Sequence, residues 1–116
     1  MNLFKRGYDI SLGRVYDKIT VKEGTDRLNL YVDADPTRIV AGLDQVQKKL
    51  KTITTDSTEE EQREIALYFA GVIFGAEQAN KLLEYYHGDG ACVVTICGKY
   101  FSERLGKIIT KAQKRL

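Results

Sequence analysis

The chain has 116 residues, 43% of them hydrophobic and 29% charged, a formal net charge of +2, and one His, two Cys, one Pro and no Trp. One domain covering 1–116 is expected at roughly 100–200 residues per domain, and this apolar fraction can bury a core without disulfide or metal staples. So few His and Cys exclude a His-rich metal centre, a zinc ribbon and a disulfide scaffold, and leave His87 as the single imidazole for any catalytic triad. The longest uncharged apolar run, Ile65 to Ala76, falls short of the roughly 20 residues of a membrane span, and Met1 to Gly13 carries charges where a signal peptide has an apolar stretch. A cytoplasmic protein that binds no membrane is expected.

In the first third of the chain the pattern has period two. Val15, Ile19 and Val21 alternate with Tyr16, Lys18, Thr20 and Lys22; Leu28, Leu30 and Val32 then alternate with Arg27, Asn29 and Tyr31. The polar connection Glu23-Gly24-Thr25-Asp26 supplies a glycine for a tight turn, so an antiparallel β-hairpin is predicted within 1–34, with Phe4 to Leu12 as a candidate third strand. A lone hairpin is marginal in water, so its apolar face must lie on the helices that follow.

Those helices occupy 35–116. Asp35-Pro36 reads as an N-cap followed by Pro at the first helical position, where the missing N–H has no intrahelical partner to lose. Ile39, Leu43, Val46, Leu50 and Ile53 then step by four and three, a narrow stripe that packs against one neighbour. Ser57 or Thr58 caps a second helix whose first turn, Glu59-Glu60-Glu61, suits the positive end of the helix dipole. Its body from Ile65 to Phe74 is apolar nearly all round, as a central core helix is, and Gly75 suits a left-handed residue ending it. A short third helix runs from Ala76 to Tyr86 and ends at Gly88-Asp89-Gly90. In the fourth, Val93, Cys97, Phe101, Leu105, Ile108 and Ala112 form the core stripe, with Lys107, Lys111, Lys114 and Arg115 in the last turns. The fold class is therefore α+β and mainly α: an N-terminal hairpin on a bundle of about four helices, with about half the chain helical.

Charge is segregated. Residues 55–90 hold two basic against eight acidic side chains, and 91–116 hold six basic against one acidic. The two segments can attract one another within the fold or between copies of an oligomer.

Candidate chemical groupings reduce to structural roles. Cys92 and Cys97 are five apart, about 500° around a helix axis, so they share neither a metal nor a disulfide there and act as small hydrophobes. His87 sits at a helix end, where an imidazole meets the last carbonyls. The carboxylates of Glu59 to Glu64 fan out from a solvated helix start. Gly88-Asp89-Gly90 lacks the spacing and Lys-Ser/Thr ending of a nucleotide loop. Glu64 to Tyr86 has helix-turn-helix spacing, but the second helix offers only Gln78, Asn80 and Lys81 as donors and carries Glu77 and Glu84. The basic last helix is the better nucleic-acid candidate, and the acidic segment opposes the approach of phosphates to it. No cofactor and no catalytic residue is expected.

The stretch Phe74-Gly75-Ala76-Glu77-Gln78-Ala79-Asn80-Lys81-Leu82-Leu83-Glu84-Tyr85-Tyr86, followed by a Gly-Asp turn and a Lys-rich helix, resembles the small tail assembly chaperones of long-tailed phages and prophages of Gram-positive bacteria. The hairpin ending in Val32-Asp33-Ala34-Asp35 and the acidic start Thr58-Glu59-Glu60-Glu61 are also similar to that family. The resemblance implies a protein that is not an enzyme. It would coat the tape measure protein during assembly, keep it soluble, and recruit tail tube subunits that displace it, all in the cytoplasm of the bacterial host and outside the mature virion. Families of this kind often make a second, C-terminally extended product by a translational frameshift, and Lys111 to Leu116 is where such an extension would begin. No partner-contact residue follows by motif. A chaperone of a helical filament needs an apolar groove for an amphipathic helix, and two sets of side chains are candidates: Ile39, Leu43, Val46 and Leu50, and the second edge of the last helix, Val94, Tyr100 and Ile109. The competing account is that the hairpin covers them. A small structural tail-module protein and a small nucleic-acid-binding protein remain as alternatives.

Overall fold

The computed structural model describes residues 14–113, and the candidate third strand at Phe4 to Leu12 lies outside them. Strands β1 (Val15–Glu23) and β2 (Asp26–Ala34) form a two-stranded antiparallel hairpin with Glu23 opposite Asp26 and Val15 opposite Ala34. The helices are α1 (Pro36–Leu50), α2 (Glu59–Phe74), α3 (Ala76–Tyr85), α4 (Gly90–Tyr100) and α5 (Gly106–Gln113). A π-helical turn at Phe101–Leu105 joins α4 and α5 into one continuous last helix. Helix accounts for 65% of the described residues, so the fold is mainly α as expected.

Local chemistry explains the boundaries. Gly24 takes a φ of 63° at the first central position of a two-residue loop, the mirror-image turn whose twist matches the strands. The Asp35 side chain accepts from the Thr37 N–H, and Pro36 opens α1. Thr58 and Glu61 close a reciprocal capping box at 3.0 and 3.1 Å. Gly75 links α2 to α3 on its own. Its φ of 89° is positive as expected, but its ψ of 160° is extended rather than left-handed helical, a combination open essentially to glycine. Its N–H bonds Gly71 and its C=O accepts from Ala79, so one residue serves both helices. At the end of α3 the Gly88 N–H reaches the Leu83 carbonyl and the His87 N–H that of Glu84, leaving His87 at a left-handed φ of 57°.

The core sits around α2, whose Ala66, Phe69, Ala70, Ile73 and Phe74 meet Val93, Cys97 and Tyr100 of α4, Ala79 and Leu82 of α3, and Leu30 and Val32 of the hairpin. Two close approaches set the helix crossings. A Cβ on Gly90 would stand 2.8 Å from the α2 backbone at Gln62 and Arg63, and one on Gly42 would lie 2.6 Å from Val72. Phe74 and Tyr100 stack at 5.8 Å between ring centroids.

Polar side chains dock the hairpin. Gln78 of α3 accepts from the Tyr31 N–H and donates to its C=O, both at 2.7 Å, so a side-chain amide continues the ladder beside β2. The Tyr85 hydroxyl donates to the Asp26 carbonyl and accepts from the Glu23 N–H, clasping the turn. Asp17 shares the inward face of β1 with Val15 and is 6% exposed. It accepts two hydrogen bonds from Arg104, Nε–H at 2.7 Å and Nη2–H at 2.6 Å, and one from the Tyr100 hydroxyl at 2.6 Å. Burial by itself pushes the Asp17 carboxyl up, but the bonds from Arg104, Tyr100 and the Lys18 N–H outweigh it and hold the group below its usual value.

The π turn corrects the expected stripe of the last helix. The Gly106 N–H bonds the Phe101 carbonyl five residues back, and the buried positions run Val93, Cys97, Tyr100, Leu105, Ile109 and Ala112. Val93, Cys97 and Tyr100 share one face of α4 at steps of four and three, and the one residue inserted before Leu105 brings Leu105, Ile109 and Ala112 onto that face, so Phe101 is left facing outward.

Replacing Arg104 by Ala strands a buried carboxylate and is expected to cost about 3–5 kcal/mol. Replacing Asp17 by Ala frees an arginine that is already 57% exposed, and is expected to cost only about 2 kcal/mol. Urea unfolding of both variants gives the order. A lowered carboxyl pKa contributes stability that is present above the unfolded value and lost as pH falls through the folded one. The stability gap between wild type and Asp17→Asn should therefore stay constant above about pH 5 and close on acidification. His87→Gly should raise stability by up to about 1 kcal/mol, read in the same titration, by removing a left-handed non-glycine residue.

Candidate functional site

A groove of about 510 Å³ separates α1 from the last helix. Val40, Leu43, Gln47 and Leu50 form one wall, Phe69, Val46 and Ile109 the floor, and Phe101 and Thr110 the other wall. The stepping of α1 by four and three places its apolar side chains over α2, and those at the margin of that contact face the groove. On the opposite wall the π turn swings Phe101 to the rim. Val40 is 42% exposed and Phe101 38% exposed, so apolar surface is left in water on both sides.

Gly98 of α4 also lines this groove. A Cβ there meets no atom within 4 Å, and the backbone is ordinary helix. Neither a close approach nor a special dihedral calls for glycine, which costs roughly 1 kcal/mol relative to Ala in a helix interior. Its effect is to keep that wall low.

The sequence-derived candidates divide. Leu43, Val46, Leu50 and Ile109 are brought together at the groove, Leu43 and Leu50 half-buried in its wall and Val46 and Ile109 buried beneath it. Ile39 is fully buried in the core, Tyr100 holds Asp17 inside the molecule, and Val94 lines a separate hollow with Leu50, Ile53 and Ile65. Ile39 and Tyr100 are therefore not open to a partner. The cover over α1 comes from α2 and α5 rather than from the hairpin, which lies mainly on α2, α3 and α5.

Sequence reading missed Val40, Phe101, Gly98, Asp17 and Arg104. Asp17 was legible, because it falls on the inward phase of Val15-x-Asp17-x-Ile19, where a carboxylate demands a partner. Phe101 was not, because a helix of constant pitch puts it on the core side.

A second hollow, of about 630 Å³, gathers His87, Cys92, Asp89, Glu23, Glu59 and Arg63. Its chemistry is muted. Burial, then the negative charges of Asp89 and Glu23, push the Cys92 thiol up and away from the nucleophilic thiolate. Asp89 is occupied as the cap of α4, accepting from the Cys92 N–H at 3.1 Å. Cys97 is buried, its thiol pushed up to about 12. Among the described residues no cluster of three His, Cys, Asp or Glu could hold a metal ion, and no helix is long and apolar enough to cross a membrane.

The opposite charges of the middle and last segments do not meet as ion pairs among the described residues. Arg63 and Lys81 pair with Glu60 and Glu77 of their own helices, and the last helix pairs through Arg104 with Asp17. No protein-family model, no curated protein and no solved structure matches this chain.

Gly98→Ala should stabilise the protein by about 1 kcal/mol, whereas Ile109→Asp places a carboxylate in the core and should unfold it. Thermal melts followed by circular dichroism distinguish the two.

Proposed function

We propose that this protein is a tail assembly chaperone of a long-tailed phage or prophage, and that it holds the tape measure protein by seating the apolar stripe of a partner helix between α1 and the last helix. The observation that carries the reading is the groove itself. It has exposed Val40 and Phe101 at its rims and, at Gly98, a helical glycine that the fold does not need. Its volume suits the side chains of one helical stripe rather than a whole helix, whose diameter is about 10–12 Å. Docking of that kind is helix-in-groove recognition, read through anchors at i, i+3, i+4 and i+7. The sequence resemblance at Phe74 to Tyr86 supplies the choice of partner.

The physical task agrees with the geometry. A long amphipathic helix exposes its stripe to water and aggregates, and a small domain that covers a few side chains at a time keeps it in solution. A shallow site gives each copy modest affinity, while many copies along one filament add up through effective concentration. Modest individual sites also permit displacement by tail tube subunits. The chaperone acts in the host cytoplasm, carries out no chemistry and does not stay in the finished virion.

Co-expression with the tape measure protein tests the reading. The wild-type chain should raise the partner's soluble yield and co-purify in several copies. Gly98→Leu, which fills the groove from a position with free space, should stay folded and lose the partner, and Val40→Asp should do the same. If the partner stays insoluble and unbound beside a folded wild-type chain, a structural tail-module role replaces this one.

A further inference from the structure

The groove has two unlike walls. On the α1 side its one acidic residue, Asp44, lies 3.6 Å from Lys48, so that wall is close to neutral, and Gln47 beside it is uncharged. On the α5 side the groove continues into an adjoining hollow through Phe101, Ser102, Gly106 and Thr110, and that hollow is bordered by Lys107 and Lys111. Both lysines are exposed, and neither makes an ion pair among the described residues. They stand one helical turn apart, which puts their stems about 6 Å from each other along the rim. Arg104 is committed to Asp17, and Glu103 lines neither the groove nor the hollow.

Building on the groove as a helix-docking site, we infer that its occupant is a helix with carboxylates along one edge of its apolar stripe, the edge that meets Lys107 and Lys111. Carboxylates at i and i+4 on such a helix repeat at the spacing of the two lysines. The apolar anchors give the affinity; the charged edge fixes orientation and register and turns away helices with basic flanks. The described part of this chain supplies no such helix of its own. Glu77 and Glu84 lie on α3, whose Ala79 and Leu82 are already buried, and Glu59 to Glu61 open α2, whose apolar side chains are the core. The occupant we infer is accordingly a helix of a partner protein, recognised by that acidic edge.

Two labelled helical peptides of about 20 residues test this, sharing one leucine stripe and flanked by Glu in one and Lys in the other, titrated with the full-length protein and followed by fluorescence anisotropy. The Glu peptide should bind wild type at least about tenfold tighter than the Lys peptide, and the preference should fade towards about 1 M salt, where the screening length is about 3 Å. In Lys107→Glu/Lys111→Glu, two exposed positions, the preference should invert with the circular dichroism spectrum unchanged. Gly98→Leu should lose both peptides. If both peptides bind wild type equally and Gly98→Leu loses both, the groove holds a helix but the charged edge is wrong. If neither peptide binds, the docking reading fails with it. If a duplex DNA probe binds more tightly than the Glu peptide and is lost in the double variant, the lysines serve nucleic acid, and the inference is overturned.

Discussion

A single buried carboxylate ties the two halves of this protein together. Asp17 lies on the inward face of the hairpin, where its neighbours are apolar, and its partners Tyr100 and Arg104 come from 83 and 87 residues further along the chain. Leaving that charge unpaired in the interior would be costly, so the last helix is constrained in both position and rotation. The π turn at Phe101–Leu105 fits this constraint: the extra residue lets Tyr100 and Leu105 both face inward while Arg104 reaches the carboxylate. It also expels Phe101 to the surface. The contact that locks the hairpin and the aromatic rim of the groove thus depend on the same inserted residue.

The rest of the scaffold holds the groove open. α2 is the shared floor, and its contacts through Gly42 with α1 and through Gly90 with α4 bring these helices against it. Between them α1 and α5 meet only in part, leaving Val40, Leu43 and Leu50 incompletely covered. Gly98 then lowers the opposite wall. The exposed rims and Gly98 leave apolar surface wet without improving the packing of the core, and these two features support the docking role we propose. The second hollow, at Cys92 and His87, shows the opposite character: Asp89 is held there as the cap of α4, and burial with nearby negative charge pushes the Cys92 thiol away from the thiolate.

Most of the architecture could be read from local chemistry. Period-two alternation and Gly24 specified the hairpin; Asp35-Pro36, Ser57 or Thr58 ahead of Glu59-Glu60-Glu61, and Gly75 specified helix ends to within a residue or so. Such signals are legible because each is satisfied by neighbours in sequence. The groove was legible in part. Of the α1 stripe and the second edge of the last helix, Leu43, Val46, Leu50 and Ile109 converge at the groove, whereas Ile39 and Tyr100, which belong to the same two sets, are interior and Val94 lines a separate hollow.

By itself, then, the sequence determined the class of the fold, the order and capping of its elements, and the segregation of acidic and basic segments, because backbone dihedrals and hydrogen-bond caps are set within a few residues. Tertiary structure alone decided the rotation of the last helix. That rotation follows from where Asp17 sits in a distant strand, and a change of pitch over five residues brings Leu105, Ile109 and Ala112 onto the face of Val93, Cys97 and Tyr100 and leaves Phe101 off it, without altering the amino acids that any periodicity counts. Tertiary structure also decided which apolar side chains stay open. Exposure at Val40 and Phe101 depends on how far apart α1 and α5 stand on α2, a distance fixed by side chains on three separate helices.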